Sequence, residues 1–134
     1  MAAFSFDWSG YLNLAEELGQ RADEGSLRSA ISRAYYYVYH LALHRAEANG
    51  FKPKPDEGTH AQLWRLFSRS PEPDCHKLAI IANRLREKRN RADYENIFLR
   101  VAEEVPLLLE DAKKFTMLLG TVHARHPDQK SMRQ

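Results

Sequence analysis

The stretch LRSAISRAYYYVYHLALHRAEA, Leu27 to Ala48, decides the fold. At about 100° per residue, Leu27, Ile31, Ala34, Val38 and Leu41 fall on one stripe of a helix, and such an apolar stripe faces a core. The opposite side carries Ser29, Arg33, Tyr36, His40 and His44, an aromatic and titratable set where a surface helix would carry Lys and Glu. A helix of this kind is enclosed on most sides, so the spacing predicts the central helix of an all-α bundle.

Working outward toward the N-terminus, Leu12, Ala15, Glu16, Leu18 and Ala22 predict a first helix over about Trp8 to Ala22. Gly25 fits a left-handed stop and Ser26 an N-cap for the central helix. Toward the C-terminus, Asn49 and Gly50 end it, and FKPKPDEG is a loop because neither Pro53 nor Pro55 can donate a backbone hydrogen bond. Thr59 is expected to cap a third helix holding Leu63, Trp64, Leu66 and Phe67, and Asp74 a fourth in which Leu78, Ile81, Ala82 and Leu85 face inward. Ile97, Val101, Val105, Leu108, Leu109, Ala112, Phe115 and Leu119 describe a fifth, which Pro106 should kink or restart. Residues 1–120 are thus expected to form a single domain of about five helices, with 121–134 a polar, mobile tail.

Composition sets the limits of function. The 134 residues suit one domain, and 43% apolar with 28% charged residues is the balance of an ordinary globular protein. With no run of eighteen apolar residues and no basic start leading into an apolar segment, nothing spans a membrane or directs export, and a cytoplasmic location is the expectation. The single Cys75 excludes an internal disulfide and a Cys-based zinc site. A net charge of +2 is too small to announce a nucleic-acid binder, so such a role must rest on where the charge lies.

The charge concentrates in LREKRNRADYE, Leu85 to Glu95, where Arg86, Lys88, Arg89 and Arg91 crowd the last turns of the fourth helix. Such a run is either a solvated helix face or a phosphate-binding edge. Asp93, one turn after Arg89, is placed to clamp it as an ion pair. His40 and His44 have the i, i+4 spacing of a metal pair without a third ligand, so they read as bundle histidines hydrogen-bonded to tyrosines. The Tyr35 to Tyr39 cluster reads as packing, and His60 as part of the third helix's cap. No metal or cofactor site is expected.

SRAYYYVYH on a long second helix, then a Pro-containing loop, THAQLWRLF, and RNRADYE closing a fourth helix follow one another between about Asp7 and Gly120. In this order they resemble the HEPN family of small prokaryotic helical proteins, closest to single-domain members with an Arg-x-x-Ala-Asp-Tyr ending, here Arg89 to Tyr94. The resemblance implies an up-and-down helical bundle that forms a homodimer. In many members it implies a metal-independent ribonuclease, the toxin of a toxin and antitoxin pair or a part of phage defence. Their motif is Arg, often followed by Asn, His or Asp, then His after four to six residues, with the motifs of two subunits sharing one cleft. Arg89 and Asn90 match its beginning, and Tyr94 stands where His would.

RNA cleavage without a metal uses the ribose 2′-hydroxyl as nucleophile, so the protein must stabilise phosphoryl charge and move protons. An Arg fork suits the first task. His, with an ordinary pKa of about 6.5, suits the second better than Tyr at about 10. The expected catalytic set is Arg89, Asn90, Tyr94 and His40, with Arg86, Lys88 and Arg91 as RNA contacts. Arg89 and Tyr94 differ by about 140° on a regular helix, so they can share a ligand only if the helix ends between them. The other class in play is a non-enzymatic module that dimerises or docks an antitoxin or nucleotidyltransferase, which Tyr94 at the His position favours.

Overall fold

The computed structural model describes residues 5–131, and these fold into five helices: α1 (Ser9–Leu18), α2 (Glu24–Ala48), α3 (Thr59–Ser68), α4 (Pro73–Tyr94) and α5 (Val101–Thr121). A short 3-10 turn follows at Gln129–Ser131. The all-α bundle read from the sequence is therefore the observed architecture. α2 packs against the other four helices. Leu27, Ile31, Ala34 and Val38 are buried as the stripe requires, and Tyr35, Tyr37 and Tyr39 are buried with them.

Cross-helix contacts give the directions. Arg28 near the start of α2 meets the end of α4, whereas Arg45 near its end meets the end of α5, so α2 runs against α4 and alongside α5. Arg84 pairs with Asp111 and Lys88 with Glu104, an antiparallel register between α4 and α5. α1 returns against α5 where Gly19 meets it, since a Cβ there would lie 3.0 Å from Val105 Cγ1 and 3.2 Å from Leu109 Cδ1. The four longer-range helices alternate in direction, and short α3 bridges α2 and α4.

Helix ends depart from the sequence reading. Asp23, not Ser26, caps α2, its Oδ2 accepting from Ser26 N at 2.9 Å, and Gly25 lies inside the first turn. α3 starts from Gly58 with no side-chain cap, so Thr59 is its first helical residue. Glu72 caps α4 through Asp74 N at 3.2 Å, and Pro73 takes the first helical position, where its missing N–H would have been unpaired anyway. Pro106 neither breaks nor restarts α5, because the loss of one ladder bond near the helix start is outweighed by the buried stripe Val105, Leu108, Ala112 and Phe115. Ile97 lies before α5 and is 71% exposed, its expected inward place being taken by Phe98.

The segment expected as a mobile tail is packed as far as it is described. Val122 and Pro127 are buried. The Arg45 guanidinium donates to the carbonyls of Leu119, Val122, His123 and His126, and Asn49 Nδ2 donates to Ala124 O at 2.9 Å. A polar sequence is held here by backbone carbonyls meeting side-chain donors, a signal that hydropathy does not carry. Residues 132–134 of the expected tail lie outside the described residues. No helix of the described residues is long and apolar enough to cross a membrane.

Candidate functional site

Arg89 sits on the inner face of α4 at 7% exposure, where two rings of α2 flank it. Its guanidinium carbon lies 5.1 Å from the Tyr35 ring centroid and 5.2 Å from that of Tyr36. Asp93, one turn on, reaches it only to 3.8 Å, an ionic contact beyond hydrogen-bond range, and Nε is buried with no hydrogen-bond partner. Asp93 Oδ2 also accepts from Ser32 Oγ at 3.2 Å, and Arg33 Nη2 donates to the same hydroxyl at 3.3 Å. A buried guanidinium normally has its donors occupied, because an unpaired one costs about 1–3 kcal/mol. This one is held by π faces and a carboxylate beyond hydrogen-bond range, so its donors are not saturated by the groups around it.

His60, read from the sequence as cap chemistry, belongs to the same cluster. It stacks on Tyr39 with centroids 4.0 Å apart and packs against Tyr35 and Tyr36, the two rings that hold Arg89. Its Nδ1 bonds the Tyr35 hydroxyl, which also accepts from Trp64 Nε1 at 3.1 Å. Burial pushes the His60 pKa down to about 4, with the charges of Arg86, Arg89 and His40 adding to the effect, so the ring is neutral near pH 7. Burial pushes the Tyr35 phenol up to about 12, although the Trp64 hydrogen bond and the charges of Arg86 and Arg89 oppose it. The indole can only donate, which leaves the phenol's own proton free for His60 Nδ1; when the phenol donates it, the imidazole carries its hydrogen on Nε2. The i, i+4 spacing of His60 and Trp64 at the start of a helix was the available signal.

The other residues expected at the site are spread over the surface. α4 continues through Tyr94, so Tyr94 lies about 140° around from Arg89 and is 77% exposed; the two do not share a face within one chain. Asn90 is exposed on the next flank. Arg86, one turn before Arg89, is the one cation of the run that joins it beside His60. Lys88 turns to α5 and pairs with Glu104 at 3.2 Å. Arg91 pairs with Glu95 at 3.4 Å and lies over the Phe98 ring at 4.5 Å. The basic run is therefore three separate faces and not one phosphate edge.

His40 is not hydrogen-bonded to a tyrosine. It stacks on Trp8 with centroids 3.4 Å apart and planes within 7°, and with Trp8, Tyr37 and His44 it lines a cavity of about 530 Å³. Burial lowers its pKa. The Tyr39 ring, 5.1 Å from His40 and 4.0 Å from His60, separates it from the Arg89 cluster. Among the described residues, no three His, Cys, Asp or Glu side chains gather as a metal would require. Comparison with protein-family models, with curated proteins and with solved structures finds no match to this chain.

Proposed function

We propose that this chain is a HEPN-type, RNA-directed protein, a metal-independent ribonuclease or an RNA-binding relative of one, acting as a toxin or in phage defence. The observation that carries the reading is Arg89, a guanidinium at 7% exposure whose Nε has no hydrogen-bond partner. Nη1 reaches Asp93 only to 3.8 Å, so a phosphodiester oxygen meeting the terminal nitrogens of the fork supplies the acceptor that Asp93 does not. Arg86 adds a second positive charge on the same face, and the RNA contacts reduce to these two cations, with Lys88 and Arg91 engaged elsewhere. In cleavage, the 2′-hydroxyl gives up its proton and attacks phosphorus, the bond to the 5′-oxygen breaks, solvent carries a proton to that leaving oxygen, and the guanidinium holds the phosphoryl charge, leaving a 2′,3′-cyclic phosphate and a 5′-hydroxyl.

Incubating the protein with total RNA, with and without chelator, tests this. Cleavage is expected to persist in chelator and to leave cyclic phosphate ends. It is expected to fall on the order of 100-fold in Arg89→Ala, with circular dichroism reporting an intact fold. Cleavage that vanishes in chelator, or that Arg89→Ala leaves unchanged, refutes the mechanism.

One observation favours the second reading, a docking module for an antitoxin or nucleotidyltransferase. Tyr94, Ile97 and Leu99 are 77%, 71% and 73% exposed around the end of α4. The carbonyls of Ala92 and Asn96 in that segment accept from Arg28 at 3.0 and 3.3 Å, so the apolar side chains stand on fixed backbone. Absence of both cleavage and RNA binding makes this the better account.

A further inference from the structure

A hydrogen-bond chain links the rings around Arg89 to a side chain of a different helix. Trp64 Nε1–H donates to the Tyr35 hydroxyl and that hydroxyl engages His60 Nδ1, which orients the ring and, with the phenol as donor, leaves the imidazole hydrogen on Nε2. The same ring is braced by stacking on Tyr39 and by the edge of Tyr36. Arg89 rests on two of the same rings, Tyr35 and Tyr36. His60 is the second residue of α3, whose N-terminus has no side-chain cap, so the helix end that carries His60 is itself electropositive.

We infer that His60 is the second anion-contacting group of the Arg89 site, donating Nε2–H to a phosphate oxygen while Tyr35 and Trp64 hold its tautomer. This deepens the RNA reading and rests on it for the identity of the phosphate. The site is then tripartite, with a buried guanidinium and Arg86 from α4 and a neutral imidazole from α3. One consequence follows from charge alone. In the free protein His60 faces Arg86 and Arg89 from α4 and Tyr35, Tyr36, Tyr39 and His40 from α2, and the cations together with burial oppose its protonation. A bound phosphate cancels those cations, so the ring becomes easier to protonate and anion binding takes up a proton as pH falls below neutrality.

Inorganic phosphate is a suitable probe because it needs neither base nor ribose. The ring protons of His60, followed by NMR over pH 3 to 8, should titrate near 4 in the free protein and at least about one unit higher in saturating phosphate. His60→Ala should weaken phosphate binding about five- to tenfold, as expected for a lost hydrogen bond to a charged group. His60→Gln, which keeps a donor at that end, should recover most of it. Tyr35→Phe should leave the ring in place yet weaken phosphate binding several-fold, because the Nε2–H tautomer is no longer held, a readout that a packing role would not move. A His60 titration that ignores phosphate, or His60→Ala binding phosphate as wild type does, overturns the inference, as does a failure of phosphate to bind. RNA binding that depends on Arg89 and not on His60 sinks this inference and leaves the RNA reading standing. Proton-linked phosphate binding without any RNA affinity does the reverse.

Discussion

Replacing Arg89 by Met separates a ligand-binding arginine from a structural one, because the two roles predict stability changes of opposite sign. The side chain is 9% exposed, and Met matches its length and fits between rings. The substitution removes two cation–π contacts at 5.1 and 5.2 Å, worth together about 1–2 kcal/mol, and an Asp93 contact at 3.8 Å that is too long and too open to exceed roughly 1 kcal/mol. It also removes the desolvation of a buried guanidinium whose Nε has no partner, a cost of about 2–4 kcal/mol. The thioether adds favourable contact with Tyr35 and Tyr36 of about 0.3–1.5 kcal/mol. The expected outcome is a gain of about 1–2 kcal/mol with loss of RNA and phosphate binding. Urea unfolding followed by circular dichroism would show the midpoint rising by about 0.5 M at unchanged slope. A loss of about 3 kcal/mol or more would mean that the Arg89–Asp93 pair holds the fold together, and the argument from an unsatisfied donor would be wrong.

Three further outcomes can be checked independently. His60 is depressed to about 4 in the folded protein and titrates near 6.5 when unfolded, so the unfolded chain takes the proton first and stability falls as pH drops from about 6.5 to 4; urea titrations at several pH values should lose on the order of 2 kcal/mol across that window, and His60→Gln should remove the loss. Arg86→Ala should lower RNA affinity about tenfold and reduce its salt dependence, whereas Lys88→Ala and Arg91→Ala, whose cations face Glu104 and Glu95, should change it by less than about twofold in filter binding. Light scattering should give about twice the 15.5 kDa chain mass if the family resemblance extends to assembly, and a monomer at micromolar concentration would count against a cleft shared by two subunits.

Periodicity carried the interior of the bundle and failed at its joints. The stripe through Leu27, Ile31, Ala34 and Val38 is readable because core burial repeats with the helix. Helix ends were misplaced where several groups compete for one role, as with Asp23, Gly25 and Ser26, or Glu72 and Asp74. Ile97 was assigned inward because a pattern extended backward does not reveal that Arg100 at φ 60° reverses the chain first. At the site, Arg89 stood out by its place in a basic run, but the run's division among three faces depends on partners at Glu104 and Glu95. Tyr94 fell away because α4 does not stop where a shared ligand would need it to. His60 was passed over because its role comes from Tyr35, twenty-five positions earlier, which sequence distance conceals.

Two of the three arginines of α2, Arg28 and Arg45, make that helix a gauge for its neighbours. Arg28 closes the end of α4 on the carbonyls of Ala92, Glu95 and Asn96, and Arg45 closes the end of α5 on those of Leu119, Val122, His123 and His126. Neither α4 nor α5 carries a left-handed glycine at its end, so their lengths are set across the bundle and not along their own sequence. A single residue inserted in α2 between these two arginines would turn one of them about 100° away from the helix it terminates. The chain would then have to choose which end to keep: the Arg28 end closes the helix that carries Arg89, while the Arg45 end secures the C-terminal segment.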